Sequence, residues 1–188
     1  MIILASASPR RQELLKLITE DFIVLPADID EIIPPELLSK LATEDVPEFF
    51  AVQKALHILR KHSQEYSHLT VIGADTIVVI NGEILGKPKD ITDAKRMLNL
   101  LSGKTHTVIT GVAITVNGRV SSFSETAYCT FYPLTENEID EYIATGEPLD
   151  KAGAYGIQGK GALLIKSIEG DYYSIMGLPV ARISRLLK

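Results

Sequence analysis

Leu69-Thr70-Val71-Ile72-Gly73-Ala74-Asp75-Thr76-Ile77-Val78-Val79-Ile80-Asn81-Gly82 decides the fold. Val, Ile and Thr dominate up to Ile80, and a single carboxylate, Asp75, interrupts the apolar run. Such β-branched density predicts a long strand, and Asn-Gly is the strongest short-range signal for a two-residue hairpin turn. The chain therefore turns back through 83–86. A hairpin here rules out a purely parallel sheet, although strand-like and helical segments otherwise alternate along the chain.

Working towards the N-terminus, a long helix is expected over 47–62, with Phe49, Val52, Leu56 and Leu59 at helical spacing. Residues 26–35 form an acidic, proline-bearing loop, and 22–25 read as a strand. Residues 2–5 make a first strand. It leads into a helix reaching about residue 18, whose buried side is Leu14, Leu15, Leu17 and Ile18, with Ser8 as N-cap and Pro9 at the first helical position. Towards the C-terminus, Thr92 is expected to cap a helix ending near 101. Residues 104–116 and 119–131 flank Asn117-Gly118 as a second, longer hairpin. Thr135-Glu-Asn-Glu138 is a capping box for a helix to about 144. A glycine-rich stretch, 152–161, precedes a strand at 162–167, and Gly177-Leu178-Pro179 opens a final amphipathic helix. This is an α/β pattern with a mixed sheet in one domain, 1–188. The long hairpins suggest an extended arm, and hence two lobes with a cleft.

The 188 residues are 46% hydrophobic, enough for a substantial core, and carry a formal net charge of -5. A negative chain with no run of stacking aromatics is not a general nucleic-acid binder. Any phosphate site must be a local cluster of cations and backbone amides. The lone cysteine, Cys129, allows no intramolecular disulfide and suits a reducing compartment. No apolar run approaches the ~20 residues of a membrane span. The order of the first residues, apolar and then basic, is not that of a secretory leader. The chain is read as cytoplasmic, without a membrane partner.

Several stretches carry candidate chemistry. Ser6-Ala-Ser8-Pro-Arg10-Arg11 sits between strand and helix, where hydroxyls, guanidiniums and helix-start amides suit a phosphate. Two cations at the helix end that the dipole disfavours go beyond capping. Asp75, following Gly-Ala inside a strand, needs a partner or a metal if buried, and Gly73 would open the backbone to a ligand. Lys87, between Gly86 and Pro88, and Lys54, mid-helix, each read alone as surface residues. In Asp150-Lys-Ala-Gly-Ala-Tyr-Gly-Ile-Gln158-Gly-Lys-Gly161, the glycines permit positive φ or close approach, and the Gln158 amide can read a base edge. Asp28-Ile-Asp30-Glu31 is a candidate metal arm suited to Mg²⁺ or Mn²⁺.

Other signals are set aside. Ser102-Gly-Lys-Thr105 resembles the end of a P-loop, but position 98 is Leu98 where that motif needs glycine, and a helix precedes it instead of a strand. His57, His62, His68 and His106 lack zinc-type spacing and are expected at the surface. Cys129, in an apolar strand, is expected in the core.

In order along the chain, Ser-Ala-Ser-Pro-Arg-Arg, Gly-Ala-Asp-Thr, Leu-Gly-Lys-Pro, Leu-Ser-Gly-Lys-Thr-His, Asp-Lys-Ala-Gly-Ala-Tyr-Gly-Ile-Gln-Gly and Gly-Leu-Pro resemble the Maf family of nucleotide pyrophosphatases. The resemblance runs from Ala5 to Pro179. It implies an elongated, twisted mixed sheet flanked by helices, similar to inosine triphosphate pyrophosphatases, with a central cleft between lobes. It implies hydrolysis of nucleoside triphosphates to monophosphate and diphosphate as a house-cleaning activity, in the branch acting on dTTP, UTP and modified pyrimidine nucleotides. Carried over by position, Asp75 is the proton acceptor, and Arg10, Thr76 and Gln158 are specificity positions. Arg11, Lys54, Lys87 and Glu31 surround the phosphates and metal, with Ser6 and Ser8 in the phosphate loop. A divalent cation, Mg²⁺ or Mn²⁺, held by Glu31 with Asp75, is the implied cofactor, and a homodimer the suggested assembly. The rival reading is a nucleotide-binding regulator of septum formation with little turnover.

Overall fold

The computed structural model describes residues 1–37, 40–62, 68–116 and 118–188. Its strands are β1 (Ile2–Leu4), β2 (Phe22–Val24), β3 (Thr70–Ile80), β4 (Glu83–Leu85), β5 (Thr105–Val116), β6 (Arg119–Phe131) and β7 (Ile165–Glu169). Its helices are α1 (Pro9–Leu15), α2 (Val46–His62), α3 (Ile91–Leu101), α4 (Glu136–Ala144), α5 (Tyr172–Ile175) and α6 (Val180–Leu186). The seven strands form one sheet in the order β2-β1-β3-β5-β6-β7, with β4 pairing β3 off that path. β1 runs parallel to β2 and β3, while β3–β4 and β6–β7 are antiparallel, so the sheet is mixed as expected. Asn81 and Gly82, at φ +52 and +80, make the expected hairpin turn. Gly118 takes φ +80; its expected turn partner Asn117 lies outside the described residues.

The chain forms two compact units, Met1–Asp75 with Thr110–Glu125 and Gly177–Lys188, and Thr76–Ile109 with Thr126–Met176. The first has a core of Ile3, Ala5, Ala51, Ala55, Ile58, Leu69, Val71 and Ala113. The second packs α3 and α4 residues, among them Leu98, Leu101, Ile139 and Tyr142, against Val78, Leu85, Cys129 and Phe131.

Four local expectations are corrected. α1 stops at Leu15, and Leu17 is 64% exposed, because the chain turns away through 16–18. α2 buries Phe50, Ala51, Lys54, Ala55 and Ile58, with Val52 and Leu59 of the helically spaced set only partly buried beside them. The cause lies in the strands beneath: a Cβ on Gly73 would overlap the Ala51 carbonyl, and one on Gly111 would overlap the Pro47–Glu48 backbone. The helix comes so close that small residues must face the sheet. Gly73 therefore serves helix packing, not ligand approach. Asp90, not Thr92, caps α3, its Oδ1 accepting from the Asp93 N–H at 2.8 Å. The strand expected at 162–167 begins only at Ile165, since Gly159–Leu164 is 3-10 helical. The Thr135 capping box forms as read.

Candidate functional site

Side chains alternate along a strand, so Val71, Gly73 and Asp75 share one face of β3. Gly73 admits the α2 backbone at Ala51 and Ala55, and two residues further on Asp75 meets the side chain between them in the helix, Lys54. Lys54 Nζ donates to Asp75 Oδ1 at 2.7 Å and reaches Glu31 Oε1, also at 2.7 Å. Lys54 and Asp75 side chains are 11% and 13% exposed, Glu31 54%, so the inner pair is desolvated and the outer carboxylate is not. Asp28 and Asp30, the rest of the expected metal arm, are exposed.

Arg11 completes this group. Its Nε donates to the Gly177 carbonyl at 2.9 Å and its Nη1 to Ser6 Oγ at 3.2 Å. Ser6 is buried, and its Oγ also accepts the Ser8 N–H at 3.3 Å. Ser8 holds the N-cap position of α1 but makes no capping bond with its side chain. The expected cap is thus replaced by a serine turn two residues earlier. Arg10, one residue before, is partly buried.

Charge accounts for the titration of this cluster. Burial raises the Asp75 carboxyl above its ordinary value, Lys54 and Arg11 pull it back, and Glu31 pushes it up again. Burial lowers the Arg11 guanidinium, opposed by Asp75 and Glu31 and reinforced by Arg10. A buried ion pair is held together by the cost of separating it, and removing one partner leaves an uncompensated charge.

The remaining expected residues lie in the second unit. Thr76 follows Asp75 along β3 and falls on the opposite face. Lys87 is exposed in the turn after β4. Gly86 in that turn accepts the Gly153 N–H at 3.0 Å, which ties it to the glycine-rich loop. Gln158 is exposed on the same loop, at the start of the 3-10 segment.

A family model described as Maf-like protein matches residues 1–188. The chain belongs to the Maf family. It is 51% identical over 186 residues to a dTTP/UTP pyrophosphatase of Bacillus cytotoxicus, covering 99% of this chain and 93% of that one. To a dTTP/UTP pyrophosphatase of Bacillus pumilus it is 50% identical over 187 residues, covering 100% and 95%. Among solved structures, a nucleoside-triphosphatase / dITP/XTP pyrophosphatase of Mycobacterium abscessus aligns over 99% of this chain and 96% of that one, at 13% identity and a TM-score of 0.43.

Against this Maf-family background, the converging residues of the first unit are Ser6, Arg11, Glu31, Lys54 and Asp75. Among the described residues no group of three or more His, Cys, Asp or Glu side chains converges to hold a metal. Glu31 and Asp75, however, both reach one cation, the Lys54 ammonium. Mg²⁺ commonly takes one or two carboxylates and completes its shell with substrate phosphates and water, so this donor set fits it. Two features escaped the sequence reading. Gly177 holds Arg11 through a carbonyl, which no side-chain pattern announces. His106, expected at the surface, is 2% exposed in the second unit, where its ring meets Phe131 and Tyr155 edge-on. A histidine opening an apolar strand was the available signal. No helix among the described residues is long and apolar enough to cross a membrane.

Proposed function

We propose that this chain hydrolyses nucleoside triphosphates at the α–β phosphoanhydride, with dTTP, UTP and modified pyrimidine nucleotides as substrates, giving monophosphate and diphosphate. The observation that carries the reading is Lys54, bonded at once to the buried Asp75 and to Glu31. A protein that merely bound phosphate would be weakened by carboxylates at that place. The activity named in its relatives points the same way.

Asp75 is the proton acceptor for the attacking water; burial makes it more basic than a surface carboxylate, which favours general-base work near neutral pH. Lys54 orients Asp75 through its hydrogen bond and, with Arg10, Arg11 and Lys87, supplies positive charge for the triphosphate. Ser6 holds Arg11 in place, and Ser6 and Ser8 line the phosphate loop. Arg10, Thr76 and Gln158 select the base. Glu31 and Asp75 would hold a divalent cation, Mg²⁺ or Mn²⁺, which would supply Lewis acidity at the triphosphate. Most of the acceleration then comes from positioning and fixed electrostatics. The single, buried thiol suits a cytoplasmic enzyme.

The test is a panel of nucleoside triphosphates with Mg²⁺, Mn²⁺ or EDTA, with products identified. Pyrophosphate and monophosphate, with dTTP and UTP ahead of purine nucleotides and no turnover in EDTA, are expected. Orthophosphate with a diphosphate product would contradict the bond assignment. Tight binding without turnover would instead favour the nucleotide-binding regulator.

A further inference from the structure

His106 ends the Leu101-Ser-Gly-Lys-Thr-His106 stretch, and nothing in the proposed reaction uses it. Its Nε2 lies 2.7 Å from the Tyr155 hydroxyl, and that hydroxyl also bonds the buried Cys129 thiol. The rings of His106, Phe131 and Tyr155 pack mutually edge-to-face, with centroids 4.8 to 5.2 Å apart. His106 Nδ1 is buried without a hydrogen-bond partner among the described residues. A neutral imidazole carries one N–H. With that proton on Nε2 and donated to the Tyr155 oxygen, the Tyr155 hydroxyl is free to donate to Cys129 Sγ. Nδ1 then keeps only a bare lone pair, a smaller loss than a buried N–H.

This neutral chain grips the foot of the glycine-rich loop. Gly153 and Ala154, just before Tyr155, take φ +69 and +59. Ala154 is fully buried, and a left-handed alanine persists only where its surroundings over-determine it. Just after Tyr155, the Gly156 N–H donates to the Tyr142 hydroxyl at 3.2 Å. Gly161 lies against the Gly156 carbonyl so closely that a Cβ there would overlap it. The Lys160 N–H donates to Glu147 Oε1 at 3.1 Å. Residues 156–161 thus close into a small ring, anchored below and on one side, with Gln158 exposed on its rim.

We propose that His106 and Tyr155 are positioning residues for Gln158, and that their buried bond sets base selectivity by fixing the height and tilt of this ring. The proposal rests on the reading of Gln158 as the base-selecting residue. An amide reading a base edge must hold distance and angle closely, because hydrogen bonds weaken steeply with misalignment. A ring that can rock loses discrimination before it loses turnover, since the phosphates are handled by other residues.

The experiment measures kcat/KM for UTP and for GTP, with melting temperature, in wild type, Tyr155→Phe, His106→Leu, His106→Gln and Gln158→Ala, and in Tyr155→Phe combined with Gln158→Ala. Tyr155→Phe and His106→Leu are expected to lower the UTP-to-GTP ratio by about tenfold, the scale of one buried hydrogen bond. kcat for UTP should change far less. His106→Gln, whose amide nitrogen can stand in for Nε2, should restore the ratio. Tyr155→Phe should add nothing to the ratio once Gln158 is alanine. Tyr155→Phe removes one hydroxyl and keeps the ring packing, so it carries the test even if His106→Leu does not fold. Variants that melt lower while keeping the wild-type ratio would overturn the positioning role alone. A wild-type ratio near one would overturn both this role and the reading of Gln158.

Discussion

The two units bury polar groups by opposite means. The first buries charge: Lys54 and Asp75, nearly out of solvent, are held together with Glu31 and Arg11 close by. The second buries neutral groups: His106, Tyr155 and Cys129 form a hydrogen-bonded chain inside an aromatic cluster. A charge cluster in low dielectric responds strongly to a new charge, which suits a site for a triphosphate. A neutral cluster changes little when a charged ligand arrives, which suits a fixed support. The contrast separates the part of the fold expected to react from the part expected to hold a shape.

Asp75→Asn should break the charged side most severely. We expect kcat to fall by roughly 10²–10⁴, the range for loss of a general base, with the fold and nucleotide binding retained. A smaller loss than tenfold would remove Asp75 from proton transfer. Next comes Lys54→Met, which strands the Asp75 carboxylate. Urea unfolding should show a loss of about 3–5 kcal/mol, largely recovered when Asp75→Asn is added. A loss of only ~0.5 kcal/mol would mean that the pair behaves like a surface salt bridge.

On the neutral side, burial pulls His106 from 6.5 down to about 4. Its folded value lies below its unfolded one, so the stability that it contributes is complete above pH 6.5 and drains away as pH falls towards about 4. The loss integrates to about 3 kcal/mol. Unfolding free energies of wild type and His106→Gln measured across that window should converge at low pH; parallel curves would place the imidazole in contact with water. The smallest expected effect is Gly111→Ala, which forces α2 off β5 and should cost about 1–3 kcal/mol of stability by overpacking. No measurable change would mean that α2 is not seated on the strand backbone.

Much of this was legible in the residues. β-branched runs, two Asn-Gly pairs in the sequence and a capping box locate most elements. Asp75 announces itself as a carboxylate inside an apolar strand. What could not be read is the set by the third dimension. The helical spacing of Phe49, Val52, Leu56 and Leu59 marks α2 as amphipathic, but Gly73 and Gly111 on distant strands select the rotation that sets Ala51 and Ala55 against the sheet. That rotation also moves Lys54 from a surface reading to the centre of the site. The Ser8 side chain makes no capping bond; it is Ser6, two residues earlier, whose hydroxyl accepts a backbone N–H, that of Ser8. His106 reads as polar and therefore exposed; only the Tyr155 hydroxyl, far along the chain, makes its burial tolerable.

Hydrolysis of UTP in ¹⁸O-labelled water tests the central claim most directly. With Mg²⁺ present, we expect equimolar UMP and pyrophosphate, with the label in UMP, as attack of water at the α-phosphorus requires. Label in the pyrophosphate, or UDP and orthophosphate as products, would contradict it.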